Sequence, residues 1–264
     1  MGVPPAALAH SITTYMNLLR LSSSPGLLLR ELHLLICFVL RLSQNKVKVD
    51  VDYFRGKTSL LFQFSLNVAV NNEMNGRGGG PVVFICKRNR LEAKPPLLSK
   101  GLDSYRNYFE RIQMKYLEDD EGIKKFFSAF HLFERTPAAV IIDDFGEFFD
   151  ERRCQDKYGN SRGKDLAVVR VLALCCNAII HANTKSTCPL LLSDIHHGDT
   201  PRLLYIYKRW ISSIFTIKGD GMGSFLLKET NASGKKESEK VKIAKYSTIF
   251  NSLCLDEMVD HETN

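Results

Sequence analysis

Hydrophobic and polar positions divide this chain into alternating strands and helices. From Lys57 to Val70 the residues Leu60, Leu61, Phe64, Leu66 and Val68 make a broad apolar face and predict a helix. After the glycine-rich loop Asn75–Pro81, the run Val82-Val83-Phe84-Ile85-Cys86 is apolar without interruption. Such a run between chain breakers predicts a strand covered on both faces, as in a parallel sheet. Ala138 to Ile142 and Leu190 to Leu192 read the same way, ending in Asp143-Asp144 and Ser193-Asp194. Ile112, Met114 and Tyr116 alternate with Gln113 and Lys115, the period of a short strand. Asp119 is placed to cap a helix carrying Ile123, Phe126, Phe127, Phe130 and Phe133 at helical spacing. A long helix is predicted over 164–182 and another over 202–210. Two strands, 212–218 and 224–229, follow around the turn Gly219–Gly223. Strand alternating with helix predicts an α/β domain with a mainly parallel central sheet.

The two ends of the chain are less regular. Residues 4–21 read as an amphipathic helix, broken by Ser22 to Gly26. The apolar run 26–42 suits a buried helix or a strand equally. Val47, Val49 and Val51 alternate as a short strand would. The tail from Ala232 opens with a Lys/Glu/Ser run and reads as loosely attached. The expected division is therefore 1–50 as an atypical amino-terminal segment, 51–230 as the α/β domain and 231–264 as a tail.

Composition narrows the class. With 44% hydrophobic and 25% charged residues, the 264-residue chain is ordinary for a globular protein, not a disordered or fibrous one. Its seven cysteines form no CxxC pair and sit mostly in apolar runs, so reduced, buried thiols are expected. His196-His197 lacks a matching second pair of metal ligands and reads as a solvated loop. The run 26–42 is interrupted by Arg30, Glu31 and His33, short of the roughly 18 apolar residues of a membrane span. The first 20 residues do not read as a secretory signal, and no membrane partner is expected.

The net charge of +7 is unevenly placed. Residues 77–100 hold Arg77, Lys87, Arg88, Arg90, Lys94 and Lys100 against Glu92 alone. Clustered cations of this kind neutralise phosphates and release counterions, which favours a nucleic-acid partner. A solvated basic loop is the competing reading. Lys87, Arg88 and Arg90 are the candidate DNA contacts; Tyr105 and Tyr108 are stacking candidates that suit core packing equally.

Two strand ends carry chemistry. Gly56-Lys57-Thr58-Ser59 before an apolar helix is the second half of a P-loop. There a helix amino terminus presents free N–H groups to phosphate, Lys57 reaches the phosphates and Thr58 meets Mg²⁺. Val51 stands where a complete motif has its first glycine, and Asp52 to Arg55 are bulky where small residues are the rule. Val140-Ile141-Ile142-Asp143 matches a Walker B strand, whose aspartate would hold Mg²⁺. Together the two point to a P-loop NTPase fold with ATP and Mg as cofactors; an accidental Gly-Lys-Thr beside a capping aspartate is the alternative.

These residues resemble a family. Gly56 to Phe62, Gly80 to Ile85 followed by Lys87-Arg88, and Arg111 to Tyr116 leading to Ser128-Ala129-Phe130-His131 are similar to RecA-type recombinase paralogues. So are the Walker B strand with Phe145, Glu147 and Phe148, and the strand pair after Arg209-Trp210. Within that group the pattern most resembles the small ATPase-like subunit of the Shu complex. The similarity covers about residues 56–230. It implies a RecA-like P-loop fold and a nuclear role in homologous-recombination DNA repair. It implies binding of single-stranded DNA, a SWIM-type zinc-finger partner, and support of filaments of a recombinase and its paralogues. It implies at most a weak, DNA-dependent ATPase.

Two departures qualify this. The switch from unfamiliar to familiar sequence at Gly56 reads as a misjoined exon, which transcript reads across that junction would refute. RecA-type ATPases also place a water-orienting glutamate just beyond the second strand, where Cys86-Lys87-Arg88 stands here. Glu92 and Glu147 are the remaining candidates, and both are poorly placed. A catalytically competent NTPase of another RecA-like family, and a scaffold of the same fold that binds no nucleotide, remain the other two readings.

Overall fold

The computed structural model describes residues 35–41, 51–74, 80–99, 106–196, 201–211, 213–220, 222–231, 241–249 and 252–261. Among these residues nine strands form one sheet: β1 (Leu35–Arg41), β2 (Val82–Cys86), β3 (Ile112–Tyr116), β4 (Ala139–Ile142), β5 (Leu190–His196), β6 (Ser213–Gly219), β7 (Ser224–Asn231), β8 (Val241–Ile249) and β9 (Ser252–His261). Their spatial order is β3-β2-β4-β5-β1-β6-β7-β8-β9. Every pairing from β3 to β6 is parallel; β7, β8 and β9 follow as an antiparallel extension. The described helices are α1 (Val51–Met74), α2 (Arg88–Ala93), α3 (Arg106–Phe109), α4 (Asp120–Ser128), α5 (Glu151–Tyr158), α6 (Gly163–Asn183) and α7 (Pro201–Trp210).

The apolar strands are covered on both faces, and their side chains alternate between two cores. Val83, Ile85, Val140, Ile142, Leu190 and Leu192 pack with α4, α6 and α7. Val82, Phe84, Cys86, Ala139, Ile141 and Leu191 pack with α1 and with Phe225, Leu227 and Tyr246 of the antiparallel extension. The structure is thus an α/β fold with helices on both faces of a mainly parallel sheet. By length and composition α6 is apolar enough to cross a membrane. Here Val168, Val171, Leu172, Cys175 and Ile179 are buried in the core shared with α4 and α7.

Three local expectations correspond to the structure. Asp119 accepts the Gly122 N–H at 3.0 Å and so caps α4. The apolar runs at 82–86 and 139–142 are strands buried throughout. Cys86, Cys154, Cys175, Cys176 and Cys188 are free and buried.

The sheet crosses both boundaries drawn at residues 50 and 230. From the undecided 26–42 run, Leu35–Arg41 is a strand, hydrogen-bonded between β5 and β6 in the middle of the sheet. From the tail expected to be loosely attached, β8 and β9 pair along nearly their whole lengths and extend the sheet from β7. The expected helix at 4–21, the alternation at Val47 and Val49, the loop 75–79, Tyr105, His197 and residues 232–240 lie outside the described residues. Val51, expected in a strand, opens α1.

Parallel pairing places the carboxyl ends of β1, β2, β4 and β5 along one edge, where ligands of such sheets bind. Two ties hold that edge to the helices. Asp194 in β5 accepts the N–H of Gly146 at 3.2 Å and the phenol of Tyr207 in α7 at 2.6 Å, both buried. Gly146 is pressed so close to Asp194 that a Cβ there would lie 2.5 Å from Oδ1. Removing the phenol donor from a buried acceptor costs about 1–3 kcal/mol. Tyr207→Phe is therefore expected to lower the unfolding free energy in urea by that amount. Tyr205→Phe on the exposed side of the same helix should change it by less than about 0.5 kcal/mol.

Candidate functional site

Lys57, Thr58 and Asp143 converge although 85 residues separate the last two. Helix α1 lies against one face of the sheet, and its second turn reaches the carboxyl end of β4. Thr58 Oγ1 donates to Asp143 Oδ2 at 2.7 Å. Lys57 Nζ lies 3.3 Å from Asp143 Oδ1 and donates to Asp144 Oδ1. Ser193 of β5 donates to Asp143 Oδ1 at 2.5 Å and accepts the Asp144 N–H at 3.0 Å. Arg90 of α2 closes the cluster, donating from Nη1 to Asp144 Oδ2 at 2.7 Å.

Lys57 is 1% exposed, so its charge must be matched inside the protein. Burial alone would push its ammonium down in pKa, but Asp143 and Asp144 outweigh that and hold it well above its ordinary value. Burial likewise pushes the Asp143 carboxyl up. The Lys57 charge and hydrogen bonds from Ser193, Thr58 and Lys57 overcome that and leave it below its ordinary value. For Asp144 burial wins, reinforced by the Asp143 charge against the pull of Lys57 and Arg90, and its carboxyl is raised. Asp144 is also the one non-glycine residue with positive φ among the described residues (φ 54°, ψ 51°). That left-handed turn costs roughly 1–2 kcal/mol, less for aspartate than for bulkier residues. Ser193 on its N–H and Glu147 on its carbonyl brace it, the latter at 2.9 Å.

A cleft of about 170 Å³ opens beside this cluster, lined among others by Thr58, Cys86, Lys87, Arg90, Lys94 and Asp143. Cys86 cannot act there as a nucleophile. Burial and the neighbouring Asp143 and Asp144 push its thiol up to about 12, so the thiolate is not populated near neutrality.

The residues match only half of an ATP·Mg site. Lys57, Thr58 and Asp143 supply the ammonium, hydroxyl and carboxylate that phosphate and Mg²⁺ require. The glycine loop is not formed. Helix α1 starts at Val51, five residues before Gly56, where the motif predicted a helix start. Only the first four N–H groups of a helix lack partners, so those of Gly56 to Ser59 are engaged inside α1. A Cβ at Gly56 would lie 2.5 Å from the ring of Phe225, so this glycine admits a phenyl ring rather than a phosphate. The cleft is also below the roughly 300–1,000 Å³ usual for small-molecule sites.

The other predicted residues fall as follows. Ser59 is buried, and its hydroxyl accepts the Leu97 N–H at 2.8 Å, which lays the end of the basic window along α1. Gln63 continues that seam by accepting from Ser99 N–H and hydroxyl. Glu92 pairs with Arg88 at 3.5 Å on the exposed side of α2. Glu147 is exposed, and neither glutamate lines the cleft, so neither candidate base is brought to the site. Lys87 lies 5.7 Å from the centroid of Phe148, and the Arg88 guanidinium lies 4.4 Å over the ring of Tyr116. Tyr108 packs against the core that contains α1. Among the described residues no cluster of His, Cys, Asp and Glu could hold a metal by itself. Sequence reasoning missed the roles of Asp144, Ser193 and Arg90. The acidic doublet after β4 and the Ser-Asp at the end of the third apolar run were the available signals. No family model matches the chain, and no curated protein matches it.

Lys57→Met leaves buried Asp143 without its counter-charge and Asp144 with Arg90 as its remaining cation, and is expected to cost about 3–5 kcal/mol at neutral pH. The sign with pH follows from the shifts. Asp143 lies below its ordinary value in the wild type. Its stabilisation is therefore present above pH about 4 and lost as pH falls. Asp144 is raised, so its own ionisation reduces stability as pH rises. Without Lys57 both carboxyls are raised, and the variant gains stability as pH falls towards 5. Urea titrations at pH 8 and pH 5 should show the gap to wild type narrowing on acidification.

Proposed function

We propose that this chain is a RecA-like, P-loop-type accessory subunit of homologous recombination that binds single-stranded DNA and takes ATP and Mg as weak or gated ligands. The observation that carries this reading is the meeting of Lys57, Thr58 and Asp143 at the carboxyl edge of a parallel sheet. Ammonium, hydroxyl and carboxylate meeting at that edge are the groups phosphate and Mg²⁺ would need.

Lys57 and Thr58 would hold phosphate oxygens and Mg²⁺ together with Asp143, and Mg²⁺ there would supply charge neutralisation. The basic end of β2 supports binding over hydrolysis. Cys86, Lys87 and Arg88 stand where a water-orienting carboxylate would be needed, and Asp143 and Asp144 are the only carboxyls among the described residues lining the cleft. Lys87 and Arg88 are the available DNA contacts, with Tyr116 under Arg88 offering a ring at the same edge. A SWIM-type zinc-finger partner, service to a recombinase and its paralogues, and nuclear location belong to the same proposal and rest on the resemblance. The buried Lys57 network also favours a second reading, a scaffold in which these residues hold the fold and no nucleotide binds.

Fluorescence anisotropy with an oligo-dT strand should show affinity falling steeply between 50 and 200 mM salt. Lys87→Glu with Arg88→Glu should weaken it at least tenfold; unchanged affinity would remove the DNA assignment. ATP with Mg²⁺ should raise the wild-type melting temperature, with phosphate release no faster than in buffer. No shift would leave the scaffold reading.

A further inference from the structure

We infer that a buried polar strip on α1, with Gln63 at its centre, clamps residues 97–99 and so positions the basic helix α2 for single-stranded DNA. The inference rests on the DNA reading above and adds positioning residues to it. Ser59, Gln63 and Asn67 recur at every fourth position of α1 and therefore lie in one row along the helix. All three are buried. Buried polar side chains need partners, and these have them. Ser59 Oγ accepts the Leu97 N–H at 2.8 Å. Gln63 Oε1 accepts the Ser99 N–H at 3.2 Å and the Ser99 hydroxyl at 3.1 Å. Gln63 is itself held by donating from Nε2 to Asn67 Oδ1 at 3.1 Å. Strand β9 takes the residue between: the Leu253 N–H donates to the Leu98 carbonyl at 3.1 Å, and Leu98 bridges Ser252. Successive backbone groups of this segment are thus satisfied by α1 and β9 in turn.

The clamp matters because α2 cannot place itself. It has six residues, no buried residue and no side-chain hydrogen bond at its N-cap. A helix this short is marginal by itself. Its amino end follows directly from β2 through Lys87. Its carboxyl end is joined to Leu97 through Lys94, Pro95 and Pro96. Each proline fixes its own φ at about −65° and restricts the residue before it, so this link is stiff. A position imposed on residues 97–99 is therefore passed back to α2 and to Lys87 and Arg88 at its start. The contacts of Arg88 with Tyr116 and of Arg90 with Asp144 hold side chains, whereas the clamp holds the backbone. Ordering the backbone before DNA arrives lowers the cost of binding, which is how groups remote from the phosphates change affinity.

Hydrogen exchange and oligo-dT anisotropy on the full chain test this together. Gln63→Met keeps side-chain length and helix preference but removes the oxygen that Ser99 uses. Exchange of the Leu97 and Ser99 amides should accelerate by about tenfold or more, with amides of β2 and β4 unchanged. Oligo-dT affinity should fall by about threefold or more. Added to Lys87→Glu with Arg88→Glu, the same substitution should change affinity by less than about 1.5-fold, because the contacts it positions are gone. Gln63→Glu keeps the accepting oxygens and should stay within about twofold of wild type in both readouts. Ser99→Ala removes one of the two bonds and leaves α1 intact; it should show the same effects at about twofold, and it replaces Gln63→Met if that variant does not fold. Exchange at residues 97 and 99 unmoved by whichever variant folds overturns the clamp. Faster exchange with unmoved oligo-dT affinity, or an equal loss in the Lys87/Arg88 background, overturns the positioning role. Oligo-dT that does not bind wild type overturns the DNA reading, and exchange then still decides the clamp.

Discussion

A buried lysine must be neutralised where it stands, and much of the functional edge of this molecule follows from that requirement. Lys57 is 1% exposed and meets two acids from the end of β4. An unmatched charge at that depth costs several kcal/mol. Satisfying it ties α1 to the carboxyl edge of the sheet, where Asp144 meets it from a left-handed turn. It also recruits Ser193 from β5 to orient the acids and draws Arg90 in from α2. Six residues from four segments, Thr58 among them, are thereby tied into one hydrogen-bonded cluster.

The same chemistry bears on the proposed ligands. Ammonium, hydroxyl and carboxylate, the groups that phosphate and a divalent cation would use, already satisfy one another. Among the described residues the site is closed by its own complementarity. Any anion entering must break the Lys57 pairs, and the exchange succeeds only if it returns comparable charge balance. Helix α1 adds a second barrier, because its N–H groups from Gly56 to Ser59 are engaged within the helix. Phe225 occupies the side of Gly56 that a loop glycine would offer to phosphate. These features fit weak or gated ligand binding better than rapid turnover.

Legibility followed how local each signal was. Strands β2 and β4 were readable because apolar side chains on consecutive positions need cover on both faces. The Asp119 cap was readable because its bond spans three residues. The start of α1 was misread: Val47, Val49 and Val51 share a two-residue period, and a glycine before Lys-Thr suggested a loop. Nothing nearby shows that Phe225, far along the chain, takes up the space beside Gly56. β1 was ambiguous because a short apolar run fits helix or strand until its neighbours are known. β8 and β9 were missed because an edge extension with mixed polarity resembles a solvated tail.

The sequence by itself determined the α/β alternation, the doubly covered strands, the basic window after β2 and the two strand ends that carry reactive groups. These are local matters of periodicity, capping and residue type. Only the tertiary structure decided what those groups do. It brought Thr58 to Asp143 across 85 positions, gave Arg90 to Asp144 rather than wholly to solvent, and left Glu92 and Glu147 away from the cleft. It also placed a strand from the first 50 residues at the sheet's centre. The reason is that charge pairing and strand pairing are set by distance in space, which sequence separation does not encode.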